Sequence, residues 1–399
     1  MIPMYLVKQN FTCKSVNNIE EHILSELNKM GIREKIFSGM KLCLAYGSRG
    51  FPYGFKVIST LIEIFKAWGA DPFIIPAMGS HGGGTDEGQM QVLKKMGITG
   101  EDLDVPVKSC ADSVFIGQTA GGVPVYCDRY ALEADGVFLF NRVKPHTAFR
   151  SSIESGLTKM MSVGMGKVKG AEAAHKAGLG HHLVEMSDVI EKNIKFLGGI
   201  ASVDNFRGDA SVLKGVRPEG RKETEKELLE LAWQQLPRVP FSHLHVLLVD
   251  FMGKNISGSG MDVNVIGMHR RIGGEPELKY ETIVVLDLTP ESRGNALGIG
   301  YADITTKTLV DKIDFQTTYK NGFTTGFLGT VKIPCTLPTE REAILTAFNL
   351  HGLKDCKIAR IKDTKHLEHL WISEPLLKEA ANFEIIKKTD SIFNIGEYL

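Results

Sequence analysis

The stretch "GLTKMMSVGMGKVKGAEAAHKAG" (156–178) brings Lys159, glycines at 164, 166, 170 and 178, and His175 together. A lysine can become a covalent attachment point. A histidine holds a metal or moves a proton. Glycines let backbone approach a ligand or take positive φ. "GMGKVKG" is G-x-G-x-x-x-G. It is therefore neither a dinucleotide fingerprint nor a Walker A loop. "HHLVE" (181–185) matches neither zincin pattern, which points away from a metal role at His181 or His182.

Four further polar loops, three of them bearing glycine, follow strand-like runs: "GSRG" (47–50), "GSHGGGTDEG" (79–88), "KPHTAFRSS" (144–152) and "GKNISGSGMDVN" (253–264). Ligands of open α/β sheets bind outside the carboxyl ends of strands. Arg49 is then a candidate anion contact, because backbone N–H groups and a helix N-terminus assist it. His81 and His146 lie on two such loops, where they could face each other across one cleft. Imidazole, with an unperturbed pKa of roughly 6.5, serves as acid or base near neutrality. Thr85 reads as the N-cap of the following helix, with Asp86 and Glu87 favouring its positive end.

The elements that must position these groups alternate. "KLCLAYG" (41–47), "PFIIPAM" (72–78) and "GVFLFNRV" (136–143) read as strands, and 53–69, 86–97 and 182–198 as helices. The alternation predicts an α/β fold with mainly parallel sheets. A charged helix at 221–236 followed by "PRVP" reads as a hinge. "HLHVLLVDFMG" (243–253), "ETIVVLDL" (281–288) and "TEREAILTAFNLHG" (339–352) then build a second α/β unit. The expected division is 1–220, a helical hinge at 221–240, and 241–399, with a cleft between the two α/β domains. At 399 residues, two domains are the default.

Lys plus Arg equals Asp plus Glu, at 47 each. This balance gives no electrostatic footprint for nucleic acid or an anionic membrane. No run of 18 apolar residues suggests a membrane span. The six cysteines are scattered without a C-x-x-C pair, which fits a reducing, cytoplasmic setting.

The ordered set Arg49, His81, "VKPH" ending at His146, Lys159 and His175 resembles the nickel-dependent lactate racemase family of α-hydroxy-acid racemases and epimerases. The resemblance implies a nickel pincer nucleotide joined through a thioamide to Lys159. His175 would complete the nickel coordination. Ser48, Arg49, Gly164 and Gly166 would lie against the cofactor, and His81 and His146 would act as acid and base on opposite substrate faces. The implied reaction inverts the α-carbon of a 2-hydroxy acid by reversible hydride transfer to the cofactor. The implied partners are that acid and the proteins that make the cofactor.

Two departures stand out. "YGSR" changes part of the nucleotide contact. "DVNVIGMHR" (262–270) sets Ile266, Gly267 and Arg270 where the family carries tyrosine, glutamine and lysine. Arg270 offers a bidentate carboxylate fork, and Gly267 would open space. Together they suggest an acid larger than lactate, such as a sugar acid, gripped by Arg49, Gly267 and Arg270. Two other readings stand beside this one. One is a metal-dependent hydrolase or lyase, the other a binding protein for a small organic anion.

Overall fold

The computed structural model describes residues 2–11, 13–180, 182–267, 270, 278–352, 355–395 and 398. His181 lies outside them. The structure is mixed α/β with large, mainly parallel sheets, as the alternating pattern predicts. Contacts divide the chain into two units, Thr12–Leu236 and Met1–Phe11 with Pro237–Leu399.

This division differs from the expected one at two points. β1 (Met4–Lys8) belongs to the second unit rather than to a 1–220 domain. The helix Arg221–Gln235 belongs wholly to the first unit, and the chain crosses over at 236–237. The helix is held there because Leu228, Leu229 and Ala232 join that unit's core.

In the Thr12–Leu236 unit the strands are β2 (Lys41–Tyr46), β3 (Asp71–Pro76), β4 (Ser113–Gln118), β5 (Pro124–Asp128), β6 (Gly136–Arg142), β7 (Phe196–Asp204) and β8 (Ala210–Val216). Among the described residues the main sheet runs β3-β2-β6-β7-β8. It is parallel except for the β7/β8 pair. The strand β2 is apolar along nearly its whole length because both its faces are covered. Leu42, Leu44 and Tyr46 enter one core cluster with Val57, Leu61 and Phe65 of the helix Gly54–Ala67. Cys43 and Ala45 enter the other, with Leu157, Met160 and Met161. The helix expected over 182–198 ends at Asn193, because residues from Phe196 pair with β6.

The second unit holds β9 (His243–Met252), β10 (Lys279–Leu288), β11 (Ile304–Thr306), β12 (Cys335–Leu337), β13 (Ile358–Ile361), β14 (His369–Ser373) and β15 (Glu384–Thr389). Its sheet runs β12-β11-β10-β9-β13-β14-β1-β15 among the described residues. The run from β12 to β13 is parallel, and β14, β1 and β15 close the sheet antiparallel. No helix among the described residues is long and apolar enough to cross a membrane.

Candidate active site

The strands β3, β2 and β6 are parallel neighbours, so their carboxyl ends lie side by side. The loops carrying His81, Ser48–Arg49 and His146 leave from those ends. Two of the loops touch directly, through a hydrogen bond between the Ser48 hydroxyl and His81 Nδ1.

A buried polar network fixes the His81 loop. Gln89 Nε2 donates to the Gly79 carbonyl at 2.8 Å and to the His81 carbonyl at 3.4 Å. Lys167 Nζ donates to the Pro76 carbonyl at 2.6 Å and to Gln89 Oε1 at 3.3 Å, and pairs with Asp128 at 2.9 Å. The Lys167 and Asp128 side chains are both wholly buried. A buried ammonium is stable only with such partners. The second lysine of the glycine-rich stretch, Lys167, therefore ties the end of β3 in place.

The His146 loop is built around the buried Glu154. Its carboxylate accepts the His146 amide at 2.7 Å and the Ser151 amide at 3.2 Å, and pairs with Arg150 at 3.5 Å. Burial pushes the Glu154 carboxyl up, against those amides and Arg150. The Ala148 amide donates to His146 Nδ1 at 3.0 Å. An amide can only donate, so in the neutral ring the proton sits on Nε2. The ring lies on Phe149, centroid to centroid 4.4 Å.

Lys159 closes the short helix Gly156–Lys159, which runs on as a π-helical turn, Met160–Gly164. Turns of this kind recur at functional sites. Asn141 Nδ2, at the end of β6, donates to the Gly156 carbonyl at 2.7 Å. From the other side, buried Glu225 accepts the amides of Leu157 and Thr158 and the Thr158 hydroxyl. Gly156 has φ 79°, and a Cβ there would strike the Glu225 carboxylate. Arg221, itself 1% exposed, donates to Thr158 and pairs with Glu191 at 2.8 Å.

The half-buried Lys159 amine lies 5.9 Å from the Phe149 ring centroid. Its pKa is pushed down to about 7, first by desolvation, then by Lys144 and Arg49, while Glu154 opposes. Lys144 and Arg49 thus act electrostatically on the Lys159 amine, and Phe149 lies between that amine and the His146 ring. Such a set of cations favours an anionic ligand and a neutral Lys159.

Other expected residues meet a different fate. A Cβ on Gly164 would stand 2.5 Å from the Ala77 carbonyl oxygen, and one on Gly166 2.7 Å from that of Ser162. The close approach these glycines allow is to the protein's own backbone. Gly164→Ala is expected to cost about 1–3 kcal/mol in denaturant unfolding. Gly170→Ala, whose Cβ would meet nothing closer than 3.4 Å, should be neutral or stabilising. His175 lies exposed in the last turn of the helix Lys167–Ala177.

In the second unit, the Arg270 guanidinium donates to the carbonyls of Tyr301 and Tyr280 at 3.0 and 2.7 Å and to Asp303 at 2.8 Å. Both terminal nitrogens of the fork expected to take a substrate carboxylate are thus bonded inside its own unit. Gly267 is buried with φ 107°, a conformation that favours glycine. Its identity follows from the backbone, and the inference of a larger acid loses that support.

Sequence reasoning missed Glu225, Lys167, Gln89 and Glu154. Glu225 sits in a helix so charged that it reads as solvent-facing, and no local signal marks it. Glu154 lies in a polar loop and carries no local signal either.

No family model and no curated protein matches the chain. Among solved structures it is similar to the lactate racemase apoprotein from Thermoanaerobacterium thermosaccharolyticum. The TM-score is 0.56 at 12% identity, over 90% of this chain and 94% of that one. A crystal structure of a protein from Thermotoga maritima gives a TM-score of 0.49 at 16% identity, over 67% of this chain and 69% of that one. The first likeness defines the fold as lactate-racemase-like.

Proposed function

We propose that this chain is a racemase or epimerase of a 2-hydroxy acid that carries a nickel pincer nucleotide on Lys159. The observation that carries the reading is that Lys159 and His146 both lie against the Phe149 ring, with the Lys159 amine pushed down to about 7 by desolvation, Lys144 and Arg49. The residues fit the group. A thioamide link needs a neutral amine, and the nucleotide's phosphate needs cations. Lys159 would be the tether, Arg49 and Lys144 the phosphate partners, and His175 the imidazole ligand, a normal one for nickel. Bound there, the group would supply the reversible oxidation of the α-carbon.

The chain's own histidines are not equivalent. His146, with Nδ1 engaged by the Ala148 amide, presents an Nε2–H donor to a substrate oxygen. His81 has a hydroxyl at Nδ1, which can donate or accept. When Ser48 accepts from Nδ1–H, the Nε2 of His81 is a base for the substrate hydroxyl proton. When Ser48 donates, that nitrogen carries a proton to return. Ser48 thus gives His81 both of the states a reversible reaction requires.

The test is intact mass and nickel content of protein made in cells that synthesise the cofactor, followed by chiral analysis of 2-hydroxy acids. A nucleotide-sized adduct on Lys159 with near-stoichiometric nickel is expected. His81→Ala should keep the adduct and lose about 10²–10⁴-fold in turnover. Unmodified protein, beside a loaded control racemase, would overturn the reading in favour of a hydrolase or an anion-binding protein.

A further inference from the structure

We propose that His243, His245 and Glu281 form a binding site for a divalent first-row transition cation in the Pro237–Leu399 unit. One candidate ligand atom from each residue lies within 4.8 Å of the others. The site is independent of the function proposed above, since it shares no residue with it.

Its geometry follows from the sheet. β9 and β10 are parallel, with Tyr280 opposite Leu244 and Thr282 opposite Val246, which sets Glu281 beside His245. Residues two apart on a strand share a face. The rings of His243 and His245 are accordingly 4.9 Å apart. His243 Nε2 lies 2.8 Å from Glu281 Oε1, a contact that holds one proton between two potential ligands. A cation takes that proton's place.

The surroundings support ligation. His351, at the end of the helix Glu340–His351, places Nδ1 3.3 Å from Glu281 Oε2, and its Nε2 meets the Thr282 hydroxyl at 2.7 Å. It therefore orients the carboxylate from outside the ligand set. His243 and His245 are half-buried and Glu281 is exposed, which leaves a path for entry. Two imidazoles and a carboxylate suit zinc and its neighbours, whereas calcium and magnesium take oxygen ligands.

The Lys357 amide now donates to His245 Nδ1 at 3.0 Å. Ligation through either ring nitrogen ends that bond, because the ring proton must move to Nδ1 or the metal must take Nδ1 itself. A bound cation would pin the starts of β9 and β10 together and, through Glu281, the end of the helix Glu340–His351.

The experiment is calorimetric titration of the metal-stripped full-length chain with Zn²⁺, with Co²⁺ absorption as a second probe. One equivalent of Zn²⁺ and a tetrahedral or five-coordinate Co²⁺ spectrum are expected. His243→Gln with Glu281→Gln should weaken binding by at least about tenfold. His175→Ala should leave the titration unchanged, which separates this site from the nickel position. Circular dichroism of the metal-free variants reports their folding, and His245→Ala serves if the double variant does not fold. Absence of stoichiometric Zn²⁺ binding, or binding that survives loss of these ligands in a folded variant, overturns the proposal.

Discussion

A Lys159→Ala chain made in cofactor-producing cells is expected to carry no adduct, no nickel and no racemase activity. The same residue makes a prediction that needs no cofactor. An exposed lysine has a pKa near 10.4 and is almost wholly protonated at neutral pH. Lys159, pushed down to about 7 by desolvation, Lys144 and Arg49, is about half neutral there. Its labelling by an acylating reagent, followed by peptide mass spectrometry, should rise with pH through a midpoint near 7. At pH 7 it should outpace exposed lysines by up to about three orders of magnitude. Arg49→Ala removes one cause of the depression, so the midpoint should move up. A midpoint near 10 in the wild type would remove the basis for Lys159 as a tether.

The second large effect concerns Glu225. Glu225→Ala is expected to cost about 3–5 kcal/mol in urea unfolding, because it strips a partner from buried Arg221 and leaves the Leu157 and Thr158 amides unsatisfied. Activity should fall with it, since those amides begin the turn that carries Lys159. The pH dependence has a definite sign. Burial raises the Glu225 pKa to about 7, against Thr158 and Arg221. Between its ordinary 4.5 and 7 the folded chain therefore binds a proton that the unfolded chain has released. The stability this proton contributes is complete below 4.5 and is lost as pH rises through 7. The loss amounts to about 3 kcal/mol. Glu225→Gln should flatten that slope between pH 5 and 8, and an unchanged slope would place the titration elsewhere.

Much of the fold was legible because it is local. β2, β3 and β6 read as strands from their apolar runs, and the loops after them hold the candidate groups at the sheet's carboxyl edge. Lys159 and His146 both lie against Phe149, and Arg49 acts on the Lys159 amine, so these members of the ordered set are near one another in the fold. What was not legible depends on partners distant in sequence. Glu225 reaches back 67 residues to Thr158, and Lys167 reaches 91 to Pro76. Neither leaves a trace in any window of periodicity. Gly267 and Arg270 misled for a related reason. The residue types fit a carboxylate grip, but a positive φ and the neighbours Tyr280, Tyr301 and Asp303 had already claimed them. The pair His243 and His245 did carry a signal, since two histidines alternating on a strand must project side by side.

The placement of β1 has a consequence for the order of synthesis. Its edges are completed by β14 and β15, and Gln9, just beyond it, bonds to Leu367 across 358 residues. At about 5–20 residues per second, the ribosome needs roughly 20–70 s to deliver that partner. During that time the Thr12–Leu236 segment can emerge and fold, while the first eleven residues wait with their backbone groups unpaired. The beginning of the chain is thus among the last parts to find its place. Removing Met4–Lys8 would disturb the sheet made last, not the one made first.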